Sequence, residues 1–174
     1  MAHPVEPRPL GVATLLLAAW LGAALLAAAV VAPAAFAVLP TRALAGALVG
    51  RVLPPLFFVG ATAGLLVAAQ AWRGRAFRAA AARVALGVAV AVACLAAQLV
   101  VAPRIERLRE TIGGPVDALP RADARRVAFG RLHALSVAAL GVAILAGGAA
   151  LVLGVVRSGA RERDAAFGSR AREP

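Results

Sequence analysis

The chain has 174 residues, 62% of them apolar, and a mean hydropathy of +0.86. Soluble domains run at roughly 45–50% apolar, so this composition belongs in a bilayer, and four spans of about 20 residues with their loops leave no room for a separate soluble domain. The formal charge of +11 rests on 19 basic residues, all arginine; they flank apolar runs instead of gathering on one wet face with base-reading groups, which excludes nucleic acid as the expected partner and favours the lipid bilayer and anionic lipid headgroups.

Residues 1–9 form a polar leader with three prolines, and the stretch 10–39 that follows carries no charge. Arg8 in front and Ala35-Phe36-Ala37 behind would suit a cleaved signal peptide. A signal's apolar region is only about 7–15 residues long, so an uncleaved first span is expected, kinked or ended by Pro33. Thr41 is placed to cap a short helix through Val49, Arg51 marks the interface, and the second span covers 52–71 with Pro54 and Pro55 in its first turn. Gly60-Ala61-Thr62-Ala63-Gly64 reads GxxxG, which lets helix backbones approach closely. Packing within the bundle is the expected use of Gly60 and Gly64, with a homo-oligomer as the alternative.

Trp72 anchors the opposite interface, and the next loop carries Arg73, Arg75, Arg78 and Arg83 without an acid. The third span is read as 84–102, with Cys94 and Gln98 four apart on one face. Cys94, the single cysteine, can form no internal disulfide and reads as a small buried apolar residue. Beyond Pro103 the helix continues in water through Arg104 to Glu110, where Glu106 and Arg109 can pair at i, i+3. Gly113-Gly114-Pro115 breaks the chain. Asp123 caps a helix that carries Arg125 and Arg126 past Phe129 into the fourth span, 132–156, and 157–174 reads as a disordered polar tail.

Val30-Val31-Ala32-Pro33 recurs as Val100-Val101-Ala102-Pro103, and Gly50-Arg51-Val52 is echoed by Gly130-Arg131-Leu132. The expected fold is therefore an all-α integral membrane protein, a four-transmembrane-helix bundle over 10–156 built as two repeated helical hairpins, with both prolines and both Gly-Arg pairs on one side of the membrane. With the N-terminus inside, arginines divide ten inside against nine outside. The short middle loop weighs most in that balance and favours cytoplasmic termini in the cell (inner) membrane.

Polar residues at shallow depth near that arginine-rich side are the candidate site: His133, Ser136, Gln98, Arg131, Arg51, Arg104 and Glu106. His133 and Ser136 share a helix face, and intramembrane polar groups are costly enough to suggest function. A structural alternative has His133 hydrogen-bonded to Gln98 or to a neighbouring carbonyl, holding the bundle together. No metal or cofactor is expected, because one histidine without cysteine is a poor ligand set and a second axial histidine for haem is missing from the spans. His3, in the leader, has no expected role. Without paired carboxylates in a span, a phosphate loop or an acid to orient His133, catalysis is not expected.

Trp20-Leu21-Gly22, Val31-Ala32-Pro33 with Phe36, Gly46 to Arg51, Pro103-Arg104-Ile105 and Phe129-x-x-Leu132-His133-x-x-Ser136 together resemble a domain-of-unknown-function family of bacterial membrane proteins similar to eukaryotic transmembrane protein 205. The resemblance extends over roughly residues 10–156 and implies a four-helix membrane protein without an established activity. Leu140 stands where relatives often carry asparagine, so the resemblance implies no deeper polar network here. The functional expectation is non-enzymatic, either moving or sensing a small solute or serving membrane assembly, alone or with an unidentified membrane partner. The alternative is a membrane enzyme or haem-binding subunit.

Overall fold

Backbone amides in lipid must be satisfied within their own segment, and long apolar runs meet that demand as helices. The computed structural model describes residues 11–73 and 78–170, and every regular element in them is helical. Helix α1 (Val12–Leu26) passes through a π turn (Ala27–Val31) into α2 (Ala32–Val38), and α3 covers Arg42–Arg73. Helix α4 (Arg78–Leu95) passes through a second π turn (Ala96–Val101) into α5 (Ala102–Ile112), and a 3-10 turn (Val116–Ala118) precedes α6 (Ala124–Arg170). Four segments are long and apolar enough to cross a membrane: Val12–Val38, Arg42–Arg73, Ala80–Ile112 and Ala124–Val156. The leader 1–9, Arg75 in the middle loop and the last four residues lie outside the described residues.

Helix α1 packs on α3 and α6, α4 packs on the same two, and α3 barely touches α6. The spans thus form a square in up-down-up-down order, an all-α four-helix membrane bundle. Thr41 caps α3 as expected, its Oγ1 accepting from the Leu44 amide at 3.2 Å.

Several expected boundaries are corrected. The short helix before Val49 and the second span are one 32-residue helix, so Pro54 and Pro55 lie inside α3 and not in its first turn. Each proline deprives a carbonyl four residues back of its donor. Those carbonyls belong to Gly50 and Arg51, and Arg51 is exposed, so they lie where water and headgroups replace the missing amide. The helices that contain the third and fourth spans run past their apolar parts, to Ile112 and back to Ala124, because alanine and arginine favour helix after apolarity ends. The same preference carries α6 to Arg170 where a disordered tail was expected.

Pro33 does not end the first span. In both hairpins the turn before proline widens so that the Ala32 amide donates to the Ala27 carbonyl and the Ala102 amide to the Ala97 carbonyl. Such i to i−5 bonds reposition the carbonyls against which the Pro33 and Pro103 rings would clash. The sequence echo therefore coincides with one backbone device used twice.

At the bundle centre the Trp20 indole, 2% exposed, donates from Nε1 to the Leu56 carbonyl at 2.8 Å. A Cβ on Gly60 would come within 2.5 Å of that indole and 2.8 Å of Cys94 Sγ, and one on Gly147 within 3.3 Å of the indole. Four spans thus meet at one aromatic ring. One turn further, a Cβ on Gly64 would lie 2.5 Å from the Gly87 carbonyl oxygen, and one on Gly87 would lie 2.6 Å from that of Gly64. The GxxxG sequence is used for packing inside the bundle, between α3 and α4.

Gly60→Leu is expected to lower stability in detergent by about 1–3 kcal/mol through overpacking. Gly22→Leu, at a position with nothing within 4 Å of a new Cβ, should leave the unfolding temperature unchanged. Thermal unfolding of both variants by circular dichroism checks the contrast.

Candidate functional site at the arginine-rich end

The loop joining the third and fourth spans is held at both ends by backbone chemistry. Gly113 closes α5 in the left-handed region (φ 66°), its amide donating to the Arg109 carbonyl at 3.0 Å. At the other end Asp123 caps α6, with Oδ1 accepting from the Arg125 amide at 2.8 Å and Oδ2 lying 2.8 Å from Arg125 Nη2. The Arg125 side-chain hydrogen bond, then its backbone one, lowers the Asp123 pKa to about 2. Arg126 laces the loop down, donating to the Leu119 carbonyl at 2.6 Å.

That frame sets the start of α6, and with it the phase of Phe129 and His133. These rings, four apart on one face, are parallel to within 3° with centroids 6.3 Å apart. From α5, the Arg109 guanidinium lies 5.5 Å from the Phe129 centroid while Nη1 donates to Glu106 Oε1 at 3.1 Å. Glu106, Arg109, Phe129 and His133 form a continuous ladder across the α5–α6 contact.

The structure joins only Glu106 and His133 of the seven expected site residues, and does so through Arg109 and Phe129. Arg104 is exposed and folds back onto the Val100 carbonyl at 3.1 Å. Arg51 and Arg131 are exposed and make no ion pair among the described residues. Arg131, two residues from both rings, lies on the opposite side of α6, beside a shallow open depression lined by Ala124, Val127, Ala128 and Leu132. Gln98 and Ser136 are half-buried, and His133 does not hydrogen-bond to Gln98.

One stripe of α6 explains why His133 is not covered. Phe129, His133, Ser136, Leu140, Ala143, Gly147, Ala150 and Gly154 follow each other at alternating steps of four and three. Ala143 and Ala150 are 0% exposed, Ser136 and Leu140 are half-buried, and His133 is exposed. Near His133 the first span has left α6: α1 packs on α6, whereas α2 packs on α3. None of Ala27–Val31 is buried. This face of α6 is covered at one end of the bundle and exposed at the other.

At the covered end lies a residue that sequence reasoning placed in a basic loop. Half-buried Arg83 donates from Nε to the Ala150 carbonyl at 3.2 Å and from Nη2 to Thr14 Oγ1 at 3.1 Å. A Cβ on Gly154 would come within 2.9 Å of its guanidinium. Arg83 thereby ties α4 to α1 and α6. The available signals were Gly154 and Thr14, a gap and an acceptor far away in sequence.

The sequence model of a family described as Domain of unknown function (DUF4149) matches residues 15–113, more than half of the chain. No curated protein and no solved structure matches it.

Arg83→Met should cost about 1.5–3 kcal/mol, the range for hydrogen bonds made by a charged group. Exposed Arg51→Met should change stability by less than about 0.5 kcal/mol, and chemical unfolding in detergent measures both. For Asp123 the folded pKa is depressed, from 3.8 to about 2, so its contribution is complete above 3.8 and disappears as pH falls through 2. Amide exchange at Arg125 should stay slow down to pH 3.8 and accelerate below it, a dependence that Asp123→Asn should abolish.

Proposed function

As the chain belongs to the DUF4149 family of unknown function, we propose that it acts without catalysis, as a membrane bundle that supports the assembly of its lipid or protein surroundings and does not conduct solute. The observation that carries this reading is the centre, where Leu17, Trp20, Val67, Val90 and Cys94 are each at most 2% exposed. Side chains packed to that degree leave no continuous polar route between the two ends. A sensing role is the second reading, favoured by His133, a polar side chain exposed near the end of an otherwise buried helix face.

Membership of the cell (inner) membrane with cytoplasmic termini is part of the proposal and is supported by the middle loop, which has arginines and no acid. Arg83 is half-buried beyond that loop, so Arg73, Arg75 and Arg78 carry the argument. Kinship with eukaryotic transmembrane protein 205 is also proposed. Four of the five motif segments behind it, from Trp20 to Ile105, fall within the matched residues 15–113, and the fifth contains the Phe129–His133 stack.

Full-length protein reconstituted into vesicles should add no permeability to protons, small ions or neutral solutes above that of protein-free vesicles. Flux that rises with protein content and disappears on Trp20→Ala would overturn the reading.

A further inference from the structure

We propose that α2 and the start of α3 form a surface covered by lipid acyl chains that stands above the headgroup level of the rest of the bundle, so that the bilayer is thicker along the first hairpin than along the second. The partner is the hydrocarbon of the surrounding lipids. This deepens the lipid-facing part of the reading above and rests on it only for the membrane setting.

One side chain sets the relative depth of the helices at this end. A Cβ on Gly46 would lie 3.4 Å from Arg109 Nη2, and the same guanidinium lies 5.5 Å from the Phe129 centroid, so α3, α5 and α6 are level at these three residues. Arg51 and Arg104 each lie five residues deeper, about 7.5 Å, and Arg131 lies two residues deeper than Phe129. To within about one turn, these three exposed arginines share a depth, which is that of the headgroups. Beyond it the two sides of the bundle differ. Helix α5 presents exposed Glu106, Arg107 and Glu110, as a helix in water should. Helix α3 presents Leu44 and Leu48, 53% and 46% exposed, and α2 presents Phe36 and Val38, 48% and 79% exposed.

Length leads to the same result. The first span, Val12–Val38, has 27 residues and no charge, about 40 Å of helix, whereas the 20 uncharged residues between Arg83 and Arg104 supply about 30 Å, the thickness of an ordinary hydrocarbon core. Tilt could fit a lone long helix, but the first and third spans both pack on α3 and α6 and must tilt together. Local thickening is the response that keeps the excess dry, and the exposed residues Leu26, Val30 and Phe36 carry the lipid-facing surface of the first span through the π turn without a break. A second copy is a poorer cover. Arg51 shares the outer face of α3 with Leu44 and Leu48, so a two-fold pairing there would set two arginines together. Against lipid, the apolar stem of Arg51 lets its guanidinium reach a headgroup at the foot of the step.

Reaction of single introduced cysteines with a membrane-impermeant maleimide tests the proposal, with the full chain in nanodiscs of dimyristoyl, dioleoyl or dierucoyl phosphatidylcholine. In the dioleoyl lipid Phe36→Cys and Leu44→Cys should react at least tenfold more slowly than Arg107→Cys. That protection should fall at least threefold in the short-chain dimyristoyl lipid and persist in the long-chain dierucoyl lipid. All three positions are exposed, so the variants should keep the wild-type unfolding temperature, and Cys94, 0% exposed at the bundle centre, gives a background that the wild type measures. Reaction of Phe36→Cys and Leu44→Cys as fast as that of Arg107→Cys in every lipid would overturn the proposal. So would protection indifferent to chain length, which is shielding by protein, a second copy included if the particle mass is doubled. Vesicle flux is a separate readout, so a conducting protein that still shows graded protection would refute the proposed function and leave this surface standing.

Discussion

The arrangement depends on one buried hydrogen bond and the ring that makes it. Lipid tails are as apolar as leucine, so nothing like the aqueous hydrophobic effect drives these helices together, and contact must come from close packing and a few polar bonds. The Trp20 indole supplies both. Its N–H reaches the Leu56 carbonyl at 2.8 Å, and a buried donor left unpaired would cost about 1–3 kcal/mol. With the ring held in that orientation, the positions facing it can carry almost nothing, and Gly60 and Gly147 are the result. The near-contact of the α3 and α4 backbones at Gly64 and Gly87 extends the same logic one turn along. Small residues here are required by what they face.

The two proline-associated π turns have different effects although their geometry is the same. In the third span the turn Ala96–Val101 stays packed against α3 and α6, with Ala97 and Val101 buried. In the first span the turn Ala27–Val31 has no buried residue. The repeated unit is thus covered in one hairpin and uncovered in the other. That difference breaks the pseudo-symmetry of the two hairpins.

Hydropathy was sufficient for the four spans, because runs this long without charge have one stable solution in a membrane. Local spacing was sufficient for the Glu106–Arg109 pair and for the Thr41 and Asp123 caps, whose partners lie within three residues. Helical phase also separates Arg131 from Phe129 and His133. The arrival of Arg109 on Phe129 was not legible, because it depends on how α5 docks on α6. Nor was the role of Arg83, since its acceptors are Thr14 and Ala150 and the apolar window begins only one residue after it. The prolines of α3 misled for a physical reason: a missing amide ends a helix in an apolar interior, but near the headgroups its partner carbonyl can be solvated.

Helix α6 runs without interruption for 47 residues, from Ala124 to Arg170. At 1.5 Å per residue this is a rod of about 70 Å, and the part beyond Val156 projects about 20 Å past the segment that crosses the bilayer. A continuous helix transmits tilt and rotation far better than a flexible tether does. Movement of α6 within the membrane would therefore swing its far tip through a larger arc, as a mast magnifies the roll of a hull.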